Sequence, residues 1–221
     1  MSYGLSYEVK QILDSQPRLI MVENDIEWII QGVYKYSLDY DGHIAQGERN
    51  IKLIVQKNFP NSIPKFYVSD YPEHIEHIYQ DGNVCLATIG EMIYFLNENP
   101  SLIAFIKKFV NAFIYTLDWF EKYNTYPFGD RKHGYKGLLD YYLNDLKLTK
   151  DQYKKMVIMI YEDKYRGHIP CLCGSGKKLR DCHGKYMLPI IKNASYKNEF
   201  ITEAYMILTK DGKNVSRKSS E

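Results

Sequence analysis

The sequence predicts an α+β fold, and three observations carry that prediction. Four short runs rich in β-branched and aromatic residues follow one another between residues 18 and 69, parted by turn dipeptides. Helical periodicity dominates after residue 100. Strands grouped first and helices grouped later argue for segregated layers rather than alternating β–α units. A compact Cys/His run near the C-terminal end adds a small element of its own.

Taken in order, residues 5–15 suit a short helix that stops before Pro17, because the residue preceding a proline is pushed out of the helical region. Residues 18–23 and 26–38 read as two strands joined at Asn24-Asp25. The run 39–43 is a second turn, and 49–56 alternates polar and apolar as a half-buried strand does. Pro60 and Pro64 keep the next stretch out of a central strand, so the fourth strand is 65–69. Short strands in succession imply an antiparallel meander. From 71 to 99 no period stands out, and this segment is expected to be a long irregular loop. Ser101 is placed to cap a strongly periodic helix that runs to residue 120. Residues 123–134 read as a loop, 135–146 and 151–165 as helices, the latter after a Thr149 cap. A short helix at 197–209 is expected to precede a flexible tail rich in Lys, Ser and Asn.

The composition is that of a globular chain, 45% hydrophobic and 25% charged over 221 residues. No apolar stretch approaches a membrane span, and the start has no basic-then-apolar leader pattern. A cytoplasmic location with no membrane contact is therefore expected, where clustered cysteines are metal ligands rather than disulfides. The net charge of +2 conceals an asymmetry. From Lys164 onward there are 12 Lys/Arg against 5 Asp/Glu, and before it 17 against 22. A basic end of this kind suits an acidic protein surface, a nucleic acid or an anionic lipid, or simply a solvated face. The acidic main body weighs against a nucleic-acid partner. The 21 tyrosines fall largely in apolar-periodic segments and are expected at core edges, each hydroxyl reaching a polar partner.

The run CLCGSGKKLRDCHG supplies three thiols and an imidazole, from Cys171, Cys173, Cys182 and His183. Zinc takes four such ligands in a tetrahedron, and Gly174, Ser175 and Gly176 permit the turn that brings both halves together. With every position filled by protein the zinc would be structural. The string resembles the SEC-C zinc motif, an accessory module in many proteins that commonly supports protein contacts.

The fourth cysteine, Cys85, stands apart, after an Asp81-Gly82 turn and between Val84 and Leu86. A lone cysteine is either a small buried hydrophobe or a nucleophile. Apolar anchors on both sides suit a rigid backbone with the thiol facing outward, and His74 and His77 lie upstream.

The order of these features resembles the ubiquitin-conjugating enzyme family: a helix, a four-stranded meander, a proline-rich turn (Phe59-Pro60 to Pro64-Lys65), a loop ending GNVCL, then a long helix. That family carries a Gly-x-hydrophobic-Cys-Leu motif, matched by Gly82, Val84, Cys85 and Leu86. The resemblance implies a catalytic domain over residues 1–166, followed by the zinc motif at 167–186 and a C-terminal helix and basic tail at 187–221. It makes Cys85 the thioester nucleophile. The family places an oxyanion-stabilising asparagine eight residues before the cysteine. Here the triplet is Ile75-Glu76-His77, so His77 takes that place as donor. The segment 126–142 resembles bacterial, operon-encoded members, in which the partner is a protein ending in glycine. In the short antiphage CBASS arrangement that partner is a cGAS-like nucleotidyltransferase. Asp130 and His133 would lie beside the cysteine and help deprotonate an incoming lysine, or else form a helix-capping loop.

Other readings stay open from the residues alone. They are a conjugating enzyme of a bacterial ubiquitin-like modification operon, a non-catalytic zinc-containing protein-binding adaptor, a Cys85–His133 hydrolase, and a nucleic-acid adaptor. No P-loop or dinucleotide glycine pattern appears, so no nucleotide cofactor is expected beside zinc.

Overall fold

The computed structural model describes residues 2–72, 75, 77–127 and 135–218. Helix α1 (Ser2–Ser15) precedes strands β1 (Leu19–Glu23), β2 (Glu27–Tyr40), β3 (His43–Gln56) and β4 (Lys65–Val68). Helices α2 (Ile89–Glu98), α3 (Leu102–Phe105) and α4 (Asn111–Tyr123) follow, the last two joined by a π-helical turn at Ile106–Val110. Then come α5 (Tyr135–Asp140), a second π turn (Tyr141–Asp145), α6 (Lys150–Tyr161), a 3₁₀ turn (Leu179–Asp181), α7 (Gly184–Ile191) and α8 (Ala194–Lys218). The chain divides into two compact units, one of Met1–Leu86 with Phe95–Arg131, the other of Ala87–Tyr94 with Lys132–Glu221.

The first unit holds the expected meander, a single antiparallel sheet in the order β1-β2-β3-β4. Asp41 and Gly42 both have positive φ, 53° and 80°, which is the two-residue hairpin turn whose twist matches the strands it joins. Because the turn takes only two residues, pairing runs from Glu27↔Gln56 to Tyr40↔His43, and β3 begins six residues before the expected Arg49. Gly32 sits at φ 130°, and a Cβ there would run into the Arg18 carbonyl that accepts the Val33 N–H. One face of the sheet is apolar by alternation, burying Trp28, Ile30, Leu53, Val55, Phe66 and Val68. Helix α4 packs on β2 and β3 with Phe113, Ile114 and Leu117 buried, and α1 packs on β1 and α3 with Val9 and Ile12 buried. Phe66 and Phe113 meet edge-to-face at 6.2 Å.

The helix expected from Ser101 exists, capped as expected: the Ala104 N–H donates to Ser101 Oγ at 3.2 Å. Its start has a second partner that local reading does not show. Glu8 of α1 accepts from the Ser101 hydroxyl and from the Leu102 N–H, each at 2.6 Å. A carboxylate at a helix N-terminus satisfies orphan donors and faces the positive end of the dipole. Asn124, in the left-handed region at φ 50°, ends α4.

The second unit is helical. Thr149 caps α6 reciprocally with Gln152. Helix α8 packs against α5, α6 and α7, burying Phe200, Ala204 and Ile207. Three expectations are corrected. The segment 71–99 is not irregular throughout, since α2 occupies Ile89–Glu98 behind a Thr88 cap that takes the Glu91 N–H. Helix α7 was hidden by its internal Pro189, which reads as a breaker. Helix α8 starts earlier than 197 and its backbone stays helical to Lys218, through the run expected to be a flexible tail. The tyrosines also divide. Tyr34, Tyr36 and Tyr142 donate to Asn111, Asp118 and Glu203 as expected, whereas the buried hydroxyls of Tyr153 and Tyr165 have no hydrogen-bond partner among the described residues.

Candidate metal centre and the Cys85 loop

The run from residue 169 folds as a knuckle. Pro170 and Lys178 form an antiparallel bridge, Cys171 N–H donates to the Lys177 carbonyl at 2.8 Å and Leu179 N–H to Ile169 at 2.8 Å. Gly174 and Gly176, at φ 77° and 75°, make the reversal that a side chain would strain. The 3₁₀ turn Leu179–Asp181 then carries Cys182 back, and His183 leads into α7. Gly184 is needed at the entry: a Cβ there would lie 2.6 Å from both the Leu179 carbonyl and the Tyr165 hydroxyl.

These elements bring the four expected donors together. The Sγ atoms of Cys171, Cys173 and Cys182 and a nitrogen of His183 all lie within 4.8 Å of one another. Cys171 Sγ is 3.2 Å and Cys182 Sγ 3.3 Å from His183 Nδ1, and Cys173 Sγ is 3.6 Å from Cys182 Sγ. Tetrahedral Zn–S bonds of ~2.3 Å put sulfurs about 3.7 Å apart, so the donors stand at ligand spacing. The imidazole is oriented for the task. Its Nε2–H donates to the Leu146 carbonyl at 2.7 Å, leaving Nδ1 to face the thiols. Burial pushes the Cys171 thiol up from its ordinary value. Burial also works against ionisation of Cys173, but bonds from Ser175 and from the two neighbouring thiols outweigh it and bring that thiol down to about 6. Donor chemistry, spacing and tautomer all fit a structural zinc.

Cys85 lies in the first unit, on a different kind of support. Ile78 and Val84 form an antiparallel bridge, closed by Tyr79 N–H to the Asn83 carbonyl at 2.9 Å. This small loop is pinned to β4: Val84 N–H donates to the Phe66 carbonyl at 2.8 Å, and Phe66 N–H to Asn83 Oδ1 at 3.2 Å. The Cys85 N–H donates to the His77 carbonyl at 2.8 Å. Cys85 and His77 are thus brought together through their backbones, and Cys85 remains half-exposed. Of the expected apolar anchors, Val84 is buried and Leu86 half-buried. The His77 ring stands edge-on to Tyr126 at 6.0 Å, and Tyr126 packs on Phe120 at 5.0 Å. Tyr126 was not singled out from the sequence, where one more tyrosine carries no signal. His74, Asp130 and His133 lie outside the described residues.

Fold and site together define a mixed α/β chain with a Cys₃His cluster, near its C-terminal end, whose donors are spaced to hold a metal ion. Compared with known families, residues 169–185 match the SEC-C motif. No curated protein and no solved structure matches the chain. Among the described residues no helix is long and apolar enough to cross a membrane.

Proposed function

We propose that the chain is a bacterial ubiquitin-conjugating-enzyme-like acyltransferase that carries a partner protein's C-terminal glycine on Cys85. The observation that carries this reading is the placement of Cys85: a half-exposed cysteine whose own N–H donates to the His77 carbonyl, on a loop that the preceding Val84 ties to β4. A nucleophile held this way needs little reorganisation before attack. The Cys85 thiolate adds to the activated glycine carbonyl and the activating group leaves, forming a thioester. A lysine amine then adds to that carbonyl. The Cys85 thiolate leaves, the amine loses a proton, and an amide remains. His77 is the proposed donor to the oxyanion in both additions. The helix, four-stranded antiparallel sheet and later helices support a ubiquitin-conjugating-like fold, with Cys85 after the fourth strand. The partner proposed is a cGAS-like nucleotidyltransferase of a cytoplasmic antiphage CBASS system, with no nucleic acid involved.

Zinc has no part in the acyl transfer. Cys171, Cys173, Cys182 and His183 would hold it, and its contribution is to fold the knuckle.

The experiment is to replace Cys85 with Lys or Ser and co-express the variant with its genomic neighbours. An isopeptide- or ester-linked adduct at residue 85, found by mass spectrometry, is the expected result. No adduct with any neighbour, and no thiol-reducible adduct of the wild type, would overturn the acyltransferase reading. A second reading, a non-catalytic adaptor, is favoured by the exposed cations Arg166, Lys177, Lys178 and Arg180 around the knuckle. It predicts that a Cys85→Ala variant still captures the partner through the knuckle.

A further inference from the structure

We propose that the Leu146 carbonyl is the positioning group for the His183 ligand, and that metal loading at the knuckle is thereby coupled to the first turn of α2. This rests on the metal reading of the four donors, and every residue in the chain of contacts belongs to the second unit.

A histidine that offers Nδ1 to a metal must carry its proton on Nε2, and that proton needs an acceptor in a buried site. His183 is 8% exposed, and its acceptor comes from 37 residues away, outside the SEC-C match. Leu146 closes the second π turn. Its own N–H donates to the Tyr141 carbonyl at 3.0 Å, and Leu148 N–H to the Tyr142 carbonyl at 3.1 Å. The position of the Leu146 carbonyl is therefore the position of the π turn.

The same turn carries Tyr142, 1% exposed, whose hydroxyl donates to Glu203 Oε2 at 3.0 Å. The other carboxylate oxygen, Oε1, accepts the Ile89 N–H at 2.9 Å. Ile89 opens α2, and its N–H is one of the donors a helix start leaves unpaired. A direct contact reinforces the link: a Cβ at Gly90 would lie 2.6 Å from the Tyr142 hydroxyl, so the tyrosine rests against the α2 backbone. The sequence of contacts runs from His183 to Leu146, Tyr142, Glu203 and Ile89. Occupied and empty knuckles supply the two states that such a path must distinguish.

The test is hydrogen exchange on the full-length protein, zinc-loaded and after chelation, with zinc content measured in parallel. Chelation is expected to speed exchange at Leu146, Leu148 and Ile89 by about tenfold or more, besides the knuckle itself. In Tyr142→Phe and Glu203→Leu, which remove the two hydrogen bonds to residue 203, the zinc response at Leu146 and Leu148 persists and that at Ile89 is lost. By reciprocity, zinc then binds more weakly in these variants by the factor lost at Ile89. His183→Cys supplies a fourth thiolate but no donor to Leu146, so zinc stays bound while the response at Leu146 and Leu148 disappears. Exchange changes confined to 169–185 in a zinc-bound protein overturn the coupling and leave the metal reading intact. So does an Ile89 response that survives both variants. A purified chain that takes up no zinc overturns the metal reading and the coupling with it.

Discussion

The two units use cysteine in opposite ways. In the first, Cys85 is held by its backbone, and its loop is bonded to β4 and to His77. In the second, three thiols and an imidazole converge within 4.8 Å, and the side chains themselves are the structure. The buried acids differ in the same sense. Asp118 in the first unit meets Lys122 at 2.7 Å and the Tyr36 hydroxyl at 3.0 Å. The hydrogen bonds described for Glu203 in the second come from two neutral donors, Ile89 N–H and Tyr142. The first unit is an apolar core with its charges compensated, which a sheet and packed helices can stabilise alone. The second places polar chemistry inside a small helical core and depends on it.

The largest test of that contrast is removal of one knuckle ligand. Cys171→Ser is expected to abolish stoichiometric zinc and to destabilise the second unit by more than ~4 kcal/mol, the range reserved for lost metals and broken networks. Metal analysis with residue-resolved exchange checks it. Retained zinc, or equal loss of protection in β2 and in α8, would remove the contrast.

Next is pH. Burial drives Glu203 up to about 7, against the bonds from Ile89 and Tyr142 that pull it down. The folded chain therefore keeps this proton in a range where the unfolded chain has lost it. Stability from this group is greatest below the ordinary carboxylate range and declines as pH rises toward about 7. The whole effect, from the ordinary carboxylate range to the raised value, is on the order of 3 kcal/mol. Glu203→Gln should flatten that decline, measured as the wild-type-minus-variant difference at fixed free zinc so that acid release of the thiolates cancels. A variant with the same alkaline slope as the wild type would show that Glu203 is ionised in the folded state at no cost.

In the first unit the corresponding weak point is steric. Gly32→Ala puts a Cβ into the Arg18 carbonyl at a positive φ, and is expected to cost about 2 kcal/mol. Chemical denaturation monitored through Trp28 and Trp119, both in this unit, checks it, and zinc content should not change. The smallest pair compares one cap in each unit. Ser101→Ala and Thr149→Ala should each cost about 1 kcal/mol. Ser101 is expected to be the dearer, because its hydroxyl also donates to Glu8.

Much of this architecture was legible because it is local. The Asp41-Gly42 turn, the alternation in β3, the Ser101 and Thr149 caps and the four metal donors each depend on residues within about a dozen positions of one another. Helix α2 was missed although Thr88 is a sound cap, because ten residues ending shortly before Pro100 show little period. Helix α7 was missed because Pro189 outweighed an apolar run that tertiary packing makes helical.

The sequence by itself determined the strand order's raw material, the helix starts and which side chains offer themselves to a metal, since propensity, periodicity and ligand chemistry are written at short range. Only the tertiary structure decided which distant residue completes each site. Glu8 reaches Leu102 across 94 positions, Glu203 reaches Ile89 across 114, and Leu146 orients His183 across 37. Each is a buried or partly buried donor that needs an acceptor, and the chain supplies it only when packing brings another element to that place.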